Sequence, residues 1–181
     1  MKNTLLTIIG LLIALNLNAQ KFFTRTGTTQ FEASEKAFEP VEAINNSTTA
    51  ILDLSTGRVA VQVFMAGFEF KNALMQEHFN ENYMDSHTYP KATLKGVLED
   101  FSPARMSKDS LFTLNATLTI KGIEQEIQTP VFLKESNNRI QVATNFSVRP
   151  EDFNIDIPSL VRDKIAQQIQ ISVEYELIER K

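Results

Sequence analysis

Both histidines of the chain lie in one connection. His78 and His87 fall within Ala73–Gly96, ALMQEHFNENYMDSHTYPKATLKG, among Glu77, Glu81 and Asp85. Imidazoles and carboxylates hold divalent metals or move protons near neutral pH. A metal site needs three or four of them to converge at fixed distances. The spacing is not His-Glu-x-x-His, which sets both imidazoles on one helix face, and Asn82-Tyr83-Met84-Asp85 intervenes before His87. Glu77 and Glu81 sit one helical turn apart, the pattern of a solvated helix face when no cleft accompanies it. No serine occupies a Gly-x-Ser-x-Gly elbow. Thr26-Gly27-Thr28 is a lone glycine in a strand, far short of a phosphate-cradling loop. The expectation is a protein with no catalytic residue, no metal and no cofactor. Without a single cysteine, thiolate chemistry, disulfides and Cys-based metal sites are excluded by composition.

The same region carries a second set of side chains. Phe68, Phe70, Leu74, Met75, Phe79, Tyr83 and Met84, with Phe146 further on, are the candidate ligand-binding residues. Two readings stand for the first seven. They plug one end of a core, as apolar stripes most often do, or they line the mouth of a site, where Met and aromatic side chains adapt to a flexible chain. Arg149 and Arg162 lie near a second irregular segment, where a guanidinium can neutralise a phosphate or carboxylate head. For Arg149, an ion pair with Asp152 or Glu151 is the favoured alternative.

The elements that must position these residues are strands. Ile51–Leu54 and Val59–Phe64 flank Ser55-Thr56-Gly57-Arg58, a Gly-containing hairpin turn. Ala92, Leu94, Gly96 and Leu98 form one face of the next strand. Phe112, Leu114, Ala116, Leu118 and Ile120 alternate with polar residues in the cleanest period-two run of the chain. Lys121-Gly122 turns into Ile127–Leu133, Asn137-Asn138 into Ile140–Val148, and Ile169–Leu177 closes the chain. With Phe22–Ala33 and Thr48–Leu54 this makes about eight strands, each with one apolar and one polar face. That is an antiparallel pattern, and the number is consistent with a closed barrel. Small inward residues, Ala92, Gly96 and Ala116, are expected to leave interior room. Asn72–Met84 breaks the alternation with helical spacing of Leu74, His78 and Glu81 and of Met75, Phe79 and Asn82, which predicts a short helix. Arg149–Arg162 reads as an extended loop around Asn154–Pro158, followed by one helical turn with Ser159 as its N-cap.

Residues 1–19 read as a secretory signal peptide. Lys2 supplies the positive start, Leu5–Leu17 the apolar run and Ala19 the small residue before cleavage, so the mature chain begins at Gln20. The run is too short for a stable membrane span. Residues 20–181 are then one domain, long enough to build a core without staples, and its location is periplasmic or secreted. The whole chain has a net charge of −4, and loss of Lys2 makes it one unit more negative. Nucleic acid is therefore not an expected partner, and no basic cluster points to anionic lipid.

Four passages resemble the YceI-like family: LMQEHFNENYMDSHTYPKATLKG, ATLTIKGIEQEI (Ala116–Ile127), FSVRPEDFNIDI (Phe146–Ile157) and QIQISVEYEL (Gln168–Leu177). The likeness spans roughly Phe22–Ile178. It implies an all-β fold, an antiparallel eight-stranded lipocalin-like barrel with a short helix capping one end. It also implies an exported, non-catalytic protein holding a long apolar molecule, a polyisoprenoid or a fatty acyl chain. The chain departs from the family pattern at Asn154, where glycine is usual, at Lys121, where histidine is usual, and at Thr24-Arg25-Thr26-Gly27, where the start is usually more apolar.

Two other classes compete. An envelope interaction protein that reuses the barrel without lipid predicts a filled interior, and self-association as a homodimer also stands open. An eight-stranded outer-membrane barrel alternates in the same way, but the absence of Trp and only three Tyr leave nothing for interfacial girdles.

Overall fold

The computed structural model describes residues 20–34, 40–107 and 110–180. The expected signal peptide, residues 1–19, lies outside the described residues. Nine strands follow in chain order: β1 (Lys21–Ser34), β2 (Glu42–Asp53), β3 (Arg58–Phe64), β4 (Glu69–Phe70), β5 (Lys91–Leu98), β6 (Ser110–Ile120), β7 (Ile123–Ser136), β8 (Arg139–Val148) and β9 (Ile165–Glu179). All pairings are antiparallel. Sequence neighbours pair throughout the sheet except that β3 pairs with β5, and β9 returns to β1 while β1 also pairs with β2. Eight strands thus close a barrel, as expected. The two-residue β4 is an addition that pairs Phe70 with Ala43 on β2.

The tight turns follow from local chemistry. Lys121 and Gly122 both have positive φ (50° and 78°), as do Asn137 and Asn138 (52° and 60°). Positive φ at both central residues is the two-residue hairpin geometry that matches strand twist. Asparagine tolerates it through its short polar side chain, which also accounts for Asn154 at φ 52° where glycine is usual in the family.

Two bulges flip the alternation. On β1, Phe22 and Thr24 point inward, then Gly27, Thr29, Phe31 and Ala33 do so; the register shifts on both sides of Gly27. On β2, Ala43 and Asn45 point inward, then Thr48, Ala50 and Leu52. The extra residues, Arg25-Thr26 and Asn46-Ser47, bend the two strands and let the sheet curl shut.

The ends of the barrel differ. At one end Met106, fully buried on the short turn Pro103–Ser107, packs with Phe22, Leu54, Leu98, Phe112 and Ile140 in the main core. The Phe101 and Phe112 rings sit 5.5 Å apart and the Arg105 guanidinium lies 4.7 Å from the Phe112 ring centre. At the opposite end lie the β3–β5 connection, the β6–β7 turn and the β8–β9 connection. A second cluster, Ala43, Val63, Met65, Phe68, Met84 and Ala92, gathers there.

The wall is not hydrogen-bonded all the way round. The β7–β8 ladder stops at Val131–Thr144, while β7 continues back to Ile123 and β8 on to Val148. Pro130 marks the parting. Its carbonyl accepts from the Thr144 hydroxyl at 2.7 Å, so its missing N–H is on the β8 side, where a ladder bond would have formed. The turn Pro150–Phe153 fills the seam, with Phe153 only 2% exposed and the Gln125 amide donating to the Asp152 carbonyl at 2.8 Å.

The second irregular segment differs from expectation. Ser159 caps nothing. The helical turn there is a short 3-10 piece, Arg162–Lys164, preceded by Val161 with no side-chain cap. The Ser159–Val161 stretch is a turn closed by the Val161 N–H to the Pro158 carbonyl.

Candidate functional site

The lid is a helix that changes pitch. Asn72 caps it, its Oδ1 accepting from the N–H groups of Leu74 (2.9 Å) and Met75 (3.4 Å). The α-helical part, α1, is Ala73–His78, and it passes directly into a π-turn over Phe79–Tyr83, closed by the Met84 N–H to the Phe79 carbonyl at 2.9 Å. Together they cover the expected helix. No residue of α1 is buried, so the helix is held by what its ends and the π-turn touch. The π-turn swings Phe79 inward onto three other rings: Phe31 at 5.4 Å, Phe68 at 5.7 Å and Phe70 at 5.2 Å between centroids. Lys121 at the β6–β7 turn donates to the Tyr83 carbonyl at 3.0 Å. Tyr89 packs beside Gly122 of that turn. Lys121 thus ties the lid to the barrel, a task for an ammonium at the position where the family usually has histidine.

Beneath the lid the barrel is hollow. A cavity of about 640 Å³ runs from the lid down to Leu52, Leu98, Leu133 and Leu177. All eight candidate residues line it: Phe68, Phe70, Leu74, Met75, Phe79, Tyr83 and Met84 from the lid region, and Phe146 from β8. Phe68 and Met84 are buried, whereas Leu74 is 57% exposed at the rim. Of the small residues expected to make room, Ala92 lines the cavity; Gly96 and Ala116 do not. They are cross-strand partners, and a Cβ on Gly96 would stand 2.5 Å from the Ala116 Cβ. Their smallness lets β5 and β6 approach, and adds no interior space.

Sequence reasoning missed Phe31, Phe153 and Tyr175, all of which line the cavity. Phe31 was legible as the inward phase of Thr29, Phe31 and Ala33. Phe153 stands in the Asp-Phe pair of the passage that carries the resemblance. Tyr175 lies on β9, 7% exposed, and its ring rests on Gly27: a Cβ at that glycine would collide with Tyr175 Cδ1.

Few cavity residues are charged. Among the described residues no Asp or Glu lines it; Lys164, exposed at the rim, and His78, exposed on the lid, are the cation and the imidazole there. His87 does not reach it. Among the described residues no three His, Cys, Asp or Glu come together as a metal would require. Arg149 is engaged by carboxylates, as favoured: Nε and NH2 bond the two oxygens of Asp152 at 3.0 and 2.8 Å, and NH1 lies 3.2 Å from Glu151. This fork clamps the turn that fills the seam. Arg162 donates to the Ile157 carbonyl at 3.2 Å.

Burial pushes the Tyr175 phenol up to about 12, against the smaller opposing effect of the neighbouring Thr29 and Thr48 hydroxyls. The folded chain therefore keeps a proton that an unfolded tyrosine loses near pH 10. The stabilisation is complete below pH 10 and lost as pH rises through about 12. Tyr175→Phe is expected to remove a loss of roughly 2–3 kcal/mol over that window, checked by urea unfolding of both proteins from pH 9 to about 12.

The outer face is mixed: Lys95, Glu126, Gln128, Glu174 and Glu176 are exposed on it, and so are Phe64, Val97, Leu111, Phe132 and Ile178. No helix among the described residues is long and apolar enough to cross a membrane.

Comparison with known proteins agrees with the architecture. The YceI-like domain model matches residues 19–177. No curated protein matches in sequence. Among solved structures, a polyisoprenoid binding domain from Saccharophagus degradans superposes with a TM-score of 0.75 at 15% identity, covering 90% of this chain and 99% of its own. Burkholderia cenocepacia BcnA gives 0.68 at 18% identity, covering 83% and 95%. The Campylobacter jejuni YceI protein gives 0.63 at 16% identity, covering 80% and 87%. With the barrel, the helical lid and a family match over nearly all of residues 20–181, the chain belongs to the YceI-like family.

Proposed function

We propose that this chain is an exported, non-catalytic carrier that holds a long apolar molecule, a polyisoprenoid or a fatty acyl chain, inside its barrel. The observation that carries the reading is the hollow interior of about 640 Å³, walled mainly by aliphatic and aromatic side chains with no carboxylate among the described residues. Sites for organic ligands are typically apolar cavities of this size with few polar groups. Affinity comes from removing the chain of the ligand from water, at roughly 25 cal/mol per Å² of apolar surface. The solved relative described as a polyisoprenoid binding domain supports the same ligand class. The residues proposed to contact the ligand are Phe68, Phe70, Leu74, Met75, Phe79, Tyr83, Met84 and Phe146. A signal peptide over residues 1–19 would deliver the carrier to the periplasm or the medium.

The test is gentle purification of the mature protein, organic extraction and mass spectrometry, followed by uptake of added prenyl and acyl chains. A prenyl or acyl lipid at near-stoichiometric yield is the expected result. An extract free of such lipid, with no uptake of either chain type, would refute the carrier.

A further inference from the structure

A string of three hydroxyls stands at one point of the largely apolar wall. Tyr175 and Thr29 share a hydrogen bond at 2.9 Å, and Thr29 and Thr48 share another at 2.9 Å. Tyr175 and Thr29 face the cavity; Thr48 stands behind them, fully buried. Thr129 and Thr144 also share a bond across the wall, at 3.1 Å, but main-chain carbonyls compete for their protons. Thr144 gives its proton to the Pro130 carbonyl, and Thr129 reaches the carbonyls of Pro130 and Asn145. Their hydroxyls are drawn towards main chain. Those of Tyr175, Thr29 and Thr48 bond one another, and either oxygen of each bond can be the donor. The string therefore runs in either direction. When Tyr175 donates to Thr29, its lone pairs are left for another partner; when it accepts, its proton is.

The placement is built. Gly27 sits under the Tyr175 ring where any Cβ would collide, so the ring lies along β1 and reaches Thr29, the next inward residue. Without the glycine the phenol would have to leave the wall. An ionised head is disfavoured at this depth, because among the described lining residues the Lys is Lys164, at the rim, and an unpaired buried charge is far costlier than a neutral polar group.

We propose that Tyr175 and Thr29, backed by Thr48, form a polar subsite within the barrel that takes an uncharged oxygen of the ligand, so that the preferred occupant is a prenyl or acyl chain bearing an alcohol or carbonyl. The proposal rests on the apolar-ligand reading above.

The test compares two probes, geranylgeraniol and the hydrocarbon of the same skeleton, on the wild type and on Tyr175→Phe, by displacement of a fluorescent polyene fatty acid. Each ligand is compared with itself between proteins, so differences in its hydration cancel. Tyr175→Phe is expected to weaken the alcohol about five- to tenfold, the worth of one hydrogen bond, and to leave the hydrocarbon within about twofold. Equal changes for both probes, or none, overturn the subsite while leaving the carrier standing. Failure of both probes to bind the wild type overturns the carrier and the subsite together. A second measurement needs no substitution. The carbonyl stretch of isotope-labelled farnesylacetone bound to the wild type is expected below its value in hexane, and an unshifted band overturns the subsite.

Discussion

Phe153→Ala is expected to destabilise the folded chain by about 3–5 kcal/mol, the range for truncating a buried phenylalanine. The upper part of that range is expected because the ring does more than fill core. From Ile123 to Pro130 and from Asn145 to Val148, β7 and β8 have no ladder between them, and the Phe153 turn fills the resulting seam. Removing the ring leaves a void beside main chain that has no neighbouring strand to collapse onto it. Phe146→Ala is the control. Both rings line the cavity, but Phe146 is only half-buried and stands on a strand that β9 supports along its whole length, so about 1–2 kcal/mol is expected from the lost apolar burial. Urea unfolding of the two variants measures the difference. Equal losses would mean that the seam closes by itself and that Phe153 is ordinary core.

The reason Phe153 escaped sequence reading is instructive about what alternation encodes. A period-two run such as Phe112–Ile120 reports which face of a strand is inward, and β6 has that pattern in the structure. It does not report whether the strand has a partner on both sides. Pro130 was the available signal for a missing partner, yet it stands within a run that otherwise alternates correctly. The bulges at Arg25-Thr26 and Asn46-Ser47 hid the inward phase of β1 and β2 in the same way. A reader following Phe22 and Thr24 in strict alternation would put Thr26 inward and Gly27 outward, and so lose the contact of Gly27 with Tyr175. Gly96 and Ala116 show the converse limit: a small residue at an inward position reads as space from sequence, but its use depends on how closely the neighbouring strand approaches. The lid residues were legible because their helical spacing interrupts a strand pattern. Phe68 and Met84 are buried and yet line the hollow, so burial alone does not separate the two readings of them.

Phe79→Ala is expected to release the lid while the barrel stays folded. A helical segment as short as Ala73–Tyr83 has no stability of its own in water, and its α-helical half buries nothing. Its inward hold is the Phe79 ring touching three others at 5.2–5.7 Å, with Tyr83 and the buried Met84 packed at its far end. The ring contacts alone, at about 0.7–1 kcal/mol for each of the three, put the change in lid closure at roughly 2–3 kcal/mol. That shifts the opening equilibrium on the order of 30- to 100-fold, because each 1.4 kcal/mol or so is a factor of ten. Amide exchange across Ala73–Met84 should quicken by that factor, and release of a bound prenyl or acyl chain should quicken with it. The ladder amides of β5 to β9 should keep their protection, since none of their hydrogen bonds involves the lid. Lys121, whose bond to the Tyr83 carbonyl leaves the chain attached at its far end, makes the motion a hinge there. If strand protection fell as far as lid protection, lid and barrel would be one cooperative unit, and the ligand would leave only by global unfolding or through the seam beside Phe153.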